Sequence, residues 1–142
     1  MPVNTITAAQ QRLAAKLFNI CSCVAIVLMP LIIPTLLWIA ASIFVHASVA
    51  HHPNHRVREF LYPGGYRFYG VVGTLVVLLN FSPQMSRWVP GVVNFGPVHL
   101  PMFWPAVWAV CLIVIVPLGI RDIVRANREN WQNITVEEEV HA

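Results

Sequence analysis

The sequence predicts an all-α, polytopic transmembrane protein with four membrane segments, the first two forming a hairpin at Pro30 and Pro34. Three observations predict it. The chain is 57% hydrophobic and 11% charged, whereas a soluble globular domain carries about 25% charged residues. It cannot clothe itself with a polar surface in water. Residues 17–50 contain no Asp, Glu, Lys or Arg, and a hydrocarbon core about 30 Å thick needs about 20 apolar residues per helix. The basic residues flank apolar runs rather than forming a stripe. That pattern marks membrane topology and argues against a nucleic-acid partner. A length of 142 residues fits a single membrane domain.

Residues 1–16 form a polar N-terminus. A short helix is expected over 5–16, capped by Thr5 or Thr7 and favoured by Ala8, Ala9, Ala14 and Ala15. Arg12 and Lys16 before an apolar run resemble the start of a signal peptide, but the run is too long for one and is read as retained. The run 17–50 is broken at 30–34. Residues 51–65 form a polar connection with Pro53, Pro63 and a Gly64-Gly65 break. Residues 66–81 are the next span. Segment 82–104 holds Pro83, Pro90, Pro97 and Pro101 with Gly91 and Gly96, and is expected to be an interfacial loop, neither helix nor strand. Residues 105–120 are the last span, with Pro105 in its first turn, where the missing N–H costs nothing.

Residues 121–142 form a tail that first continues that helix. Ile120, Ile123, Val124, Asn127 and Trp131 fall near one stripe, and Arg121, Arg125 and Arg128 can snorkel to headgroups. Trp131 suits an interface anchor. Glu137 to Glu139 make a solvated acidic end. Asn133-Ile134-Thr135 matches a glycosylation sequon, usable only in an extracytoplasmic tail.

Charge decides between two topologies. With one long, kinked helix over 17–50 there are three spans, and Arg12, Lys16 and Arg87 share a side opposite the remaining arginines. With a turn at Pro30–Pro34 there are four segments. Arg12, Lys16, Arg56, Arg58, Arg67, Arg121, Arg125 and Arg128 then face one side and only Arg87 the other, which the positive-inside rule prefers. Segments 17–32, 35–50, 66–81 and 105–120 also match in length, each about 24 Å as a helix. The objection is that Leu31-Ile32-Ile33 is an apolar turn. A re-entrant hairpin is a third form with the same orientation. In all of them 51–65 and the C-terminal tail are cytoplasmic, and a bacterial inner membrane is the expected setting.

The candidate chemistry is thin. Cys21, Cys23 and Cys111 lie in apolar stretches and read as small buried side chains. His46, His51, His52 and His55, with Glu59 nearby, form the only polar constellation of note, and His is the commonest metal ligand. The HH-x-x-H pattern of His51, His52 and His55 resembles the histidine boxes of membrane di-iron hydroxylases and desaturases. That resemblance implies a metal-dependent oxidoreductase. Those enzymes carry several such boxes, whereas this chain has one. His99 falls on the opposite side, His141 and Glu137 to Glu139 sit in the tail, and Pro53 keeps His51 and His55 off a shared helical face. A haem would need two facing axial histidines, and only His46 lies near a span. No phosphate loop, zinc-protease or serine-elbow motif occurs.

No charged residue is expected deep within a span, where transporters place ion pathways. Asn80 and Thr74 are expected to bond a neighbouring helix. Gly70, Gly73 and Thr74 form a small-residue packing face, and Ala40, Ala41, Ala47 and Ser48 a second. The expected function is therefore non-enzymatic: a structural, assembly or accessory subunit in the lipid bilayer, packing against a membrane-protein partner or its own copies. No cofactor is expected. The membrane-bound metal-dependent oxidoreductase is the alternative, and a lesion-forming or stress-linked protein a third class.

Overall fold

The structure, a computed structural model, describes residues 3–137. It is 76% helix in five helices. Strand β1 (Val3–Ile6) leads into α1 (Ala8–Val27). A short 3-10 turn (Met29–Leu31) precedes α2 (Ile33–Ala50). Helix α3 (His55–Asn80) is followed by α4 (Ser82–Trp88), bent from it by 76°. A hairpin of β2 (Val92–Phe95) and β3 (Val98–Pro101) leads into α5 (Phe103–Arg128), which has a π-helical stretch at Cys111–Ile115. Strand β4 (Ile134–Glu137) ends the described chain.

Thr7 caps α1 with a capping box. Its hydroxyl accepts from the Gln10 N–H at 3.2 Å and its own N–H donates to the Gln10 side chain at 2.9 Å. The helix then runs unbroken from the polar N-terminus into the apolar run. At its far end the chain passes through Ile32, whose φ of 67° and ψ of −56° are a γ-turn geometry, strained for a β-branched residue. Beyond it, residues pair in reverse order. Thr35 donates to the Ala25 carbonyl at 2.9 Å, and Trp38 Nε1 to Ser22 Oγ at 3.0 Å.

Helix α1 touches α2, α3 and α5 and carries the buried centre of the fold. Phe18 is fully buried, and its ring meets those of Trp38, His46, Phe68 and Tyr69 at 5.4 to 6.0 Å. Strands β1 and β4 pair antiparallel, Val3 opposite Glu137 and Ile6 opposite Ile134, so both ends of the described chain lie at one end of the bundle. Helices α2 and α5 are long and apolar enough to cross a membrane, and α3 with α4 makes a third if the bent pair counts as one span.

Several expectations are corrected here. The polar connection expected over 51–65 is helical from His55 onward. Asn54 caps α3 by accepting from the Arg56 N–H at 2.9 Å. Pro63-Gly64-Gly65 lies inside α3 and serves close packing. A Cβ on Gly64 would strike the Asn19 amide, and one on Gly65 would sit 2.8 Å from His46 Nε2. Segment 82–104 contains α4 and the β2–β3 hairpin. Gly96 at φ 59°, followed by Pro97, makes the two-residue turn. The helical stripe after residue 118 is Gly119, Asp122 and Ala126, while Ile120 and Val124 are exposed. Trp131 is buried against Phe60 and donates to the Ala126 carbonyl at 2.8 Å. Glu138, Glu139 and His141 lie outside the described residues.

The glycines divide cleanly. A Cβ on Gly119 would meet Cys23 Sγ at 2.5 Å, whereas nothing lies within 4 Å of one on Gly70 or Gly73. Gly64→Ala and Gly119→Ala should each lower stability by about 1–3 kcal/mol through overpacking. Gly70→Ala and Gly73→Ala should be neutral or stabilising by up to about 1 kcal/mol, because alanine favours a helix. Thermal unfolding of the four purified variants in detergent measures the contrast.

Candidate functional site

A buried ionic joint connects three helices at mid-bundle. Helix α1 brings Asn19, α3 brings Arg67 and α5 brings Asp122. One guanidinium nitrogen of Arg67, Nη2, donates to Asp122 Oδ2 and to Asn19 Oδ1, the latter at 3.3 Å. The side chain of Asp122 is 6% exposed and that of Arg67 18%. Arg121 Nε stands 3.6 Å from the other carboxylate oxygen. Asn19 Nδ2 reaches the Phe60 carbonyl at 3.5 Å, so one amide bridges a backbone group and the guanidinium. Gly64 and Gly119 let the helices approach closely enough for these contacts. Arg67 and Asp122 each sit near a segment end in the sequence, and helical continuity brings them inward.

The chemistry of this joint is that of a fastener. The carboxylate is held by two cations, and the adjoining cavity, about 10 Å³ between Asn19, Cys23, Arg67 and Gly119, has room for about one water. On its other side Asp122 borders a cleft of about 50 Å³ with Arg56, Glu59 and Arg125. The sequence signal was present but weak. Asp122 is the sole acid between Glu59 and Glu129, and Gly119-x-x-Asp122-x-x-x-Ala126 repeats at helical spacing.

A second network closes the polar end. Gln11 is fully buried. Its amide nitrogen donates to the carbonyls of Ile6 at 3.2 Å and Gln132 at 2.7 Å, while its oxygen accepts from Asn54 Nδ2. Arg56 binds Glu129 through two bonds of 3.0 Å and Glu59 through one of 2.7 Å. The Arg56 guanidinium pulls the Glu129 carboxyl below its ordinary range. Lys16 donates to Asn127 at 2.9 Å, and the Ala8 N–H donates to Asn133 at 2.8 Å.

The histidines are separately engaged. His46 is packed among the Phe18, Tyr62 and Tyr69 rings. His51 Nδ1 donates to the Ala47 carbonyl at 2.7 Å, closing α2. His52 Nδ1 accepts from the Asn54 N–H at 3.0 Å, and partial burial beside the Arg58 charge lowers its pKa. His55 is largely exposed and pairs with Glu59 at 3.2 Å. His99 contacts Asn94 across the β2–β3 hairpin. Among the described residues no group of three or more His, Cys, Asp or Glu is arranged to hold a metal ion. The cysteines are free thiols, and Cys23 points at the Val116 carbonyl.

The expected small-residue face of Gly70, Gly73 and Thr74 does not pack within the chain. Gly70 and Gly73 look onto open space. Thr74 donates to its own helix at Gly70, and Asn80 likewise to Val76, so neither reaches a neighbouring helix. No known protein family, curated protein or solved structure matches this chain.

Removing one partner of a buried ion pair strands the other, at a cost of about 3–5 kcal/mol. Arg67→Met and Asp122→Asn should each show a loss of that order. The double variant Arg67→Met/Asp122→Leu should recover most of it, since apolar replacement of a whole pair is close to neutral. Unfolding midpoints in one detergent test this, and additive losses would refute the joint.

Proposed function

We propose that the chain is a small integral membrane protein acting as a structural, assembly or accessory subunit through helix packing rather than catalysis. Membrane residence is supported by the apolar surface left bare. Phe44 is 78% exposed, Ile113 73%, and Leu37 and Ile33 67% each. Such a continuous apolar exterior needs a nonaqueous neighbour.

The proposed topology has four segments, α1, α2, α3 and α5, with α1 and α2 as a hairpin at Pro30–Pro34. The pairing of β1 with β4 supports it, since both chain ends then share one side. So does the reversed order of the Thr35–Ala25 and Trp38–Ser22 contacts. With the positive-inside rule, that side is the cytoplasm of a bacterial cell and the membrane its inner membrane.

The observation that carries the function is how the polar groups of the helix interior are used. Arg67, Asp122, Asn19, Ser22, Trp38, Thr35, Ser42 and Tyr69 all bond one another or nearby carbonyls. They hold helices together. Meanwhile the Gly70, Gly73 and Thr74 face is open for a backbone from a partner protein or a second copy.

Cysteine cross-linking in native membranes tests this. A Gly73→Cys variant should form a discrete adduct with a partner or a second copy, and a Phe44→Cys variant should not. Stoichiometric bound metal, lost on combined His51→Ala and His55→Ala substitution, would overturn the accessory role in favour of the metal-dependent oxidoreductase. Modification of a Thr5→Cys variant by an impermeant thiol reagent in intact cells would overturn the topology.

A further inference from the structure

Helices α2 and α3 touch from near their joined ends as far as mid-helix, where Gly65 meets His46 and Ser42 meets Tyr69 at 3.0 Å. Toward the opposite end a half-open cavity of about 290 Å³ lies between them. Thr35, Leu36 and Ile39 line it from α2, Val72, Leu75 and Val76 from α3, and the start of α5 closes it with Trp104 and Trp108. No charged side chain lines it. Its single hydroxyl, on Thr35, already donates to the Ala25 carbonyl at 2.9 Å, and the Trp108 indole N–H donates to the Ile26 carbonyl at 3.0 Å. Those two bonds also pin the walls to α1, so the space cannot simply collapse.

We propose that this cavity binds one hydrocarbon chain of a membrane phospholipid. The proposal rests on the membrane placement above. With the Thr35 hydroxyl and the Trp108 N–H already bonded and the rest of the lining almost wholly apolar, the cavity offers water too few partners and takes apolar occupants. At about 290 Å³ it stands at the small end of ligand pockets, which run from about 300 to 1,000 Å³, and it suits a single chain rather than a whole lipid. The occupant enters from the side. Ile32, Leu36, Val76 and Leu79 line the cavity and are 38–60% exposed, so its mouth is continuous with the bare apolar surface of Ile33, Leu37 and Val77. A chain from the adjoining bilayer reaches that mouth without crossing water. The head group stays outside, as the lining has nothing to bind it.

Photolabelling tests the site. The full chain is reconstituted in phosphatidylcholine vesicles whose lipid carries a diazirine on one acyl chain, irradiated, and mapped by peptide mass spectrometry. Adducts should concentrate severalfold on Leu75, Val76 and Trp108 over equally apolar exposed positions such as Ile113 and Phe44. Val72→Trp, which fills the cavity, should reduce the cavity adducts severalfold and leave those on Ile113 unchanged. Val76→Phe serves the same purpose should the larger substitution not fold. Even labelling of all exposed apolar residues would overturn the site while leaving the membrane placement standing. Labelling of no residue at all would overturn the membrane placement, and the site with it.

Discussion

Everything in the bundle is arranged about one buried charge pair. Arg67 and Asp122 come from helices far apart in the chain, and Asn19 of the central helix completes the contact. A lone ion in an apolar interior costs several kcal/mol even after relaxation. Sliding α3 or α5 by one residue would carry a charge off its partner. The pair therefore sets the register of three helices at once. Dispersion contacts among similar aliphatic side chains cannot set it, because one aliphatic neighbour is nearly as good as another. Gly64 and Gly119 are consequences of the same joint, since any side chain there would wedge apart the helices it draws together.

Polarity is strongly graded along the bundle. At one end, Gln11, Asn54, Arg56, Glu129 and Asn133 tie both chain ends and two helix termini into hydrogen bonds and ion pairs. At the other, the chain turns through Pro30, Leu31 and Ile32 and through an apolar hairpin, and leaves a cavity lined by aliphatic and indole groups. The first end is stitched by many directional bonds, the second by packing and the bonds from Thr35 to Ala25 and Trp108 to Ile26. The cavity at the second end measures about 290 Å³, against about 50 Å³ for the cleft beside Arg56 and Glu59.

Much of the helical architecture was legible. An apolar run free of charges with Pro30 and Pro34 at its centre announced a break there, and Thr7, with Thr5 as the other candidate, announced a helix start. The joint was not legible, for a physical reason. Asn19, Arg67 and Asp122 are each ordinary near the edge of an apolar segment, and only the three-dimensional register reveals that they meet. Pro63-Gly64-Gly65 misled in the opposite way. Locally it favours a break, but Asn19 and His46 fill the space its missing side chains leave, and α3 continues through it. The histidine cluster looked like shared chemistry because its members are adjacent in sequence. Each has a partner of its own instead, and among the described residues no three are arranged to hold a metal ion.

The glutamine at the start of α1 has a temporal meaning. Gln11 bonds the Gln132 carbonyl across 121 residues of sequence, and Val3–Ile6 finds its partner strand only in Ile134–Glu137. During synthesis the first helix is made early, yet its buried amide and its flanking strand stay unmet until Gln132 and Ile134–Glu137 have been made. The helices can assemble beforehand, because their joint lies within residues 19–122. The polar end is thus a late-closing clasp, which completes only once residues 132–137 have joined the helices.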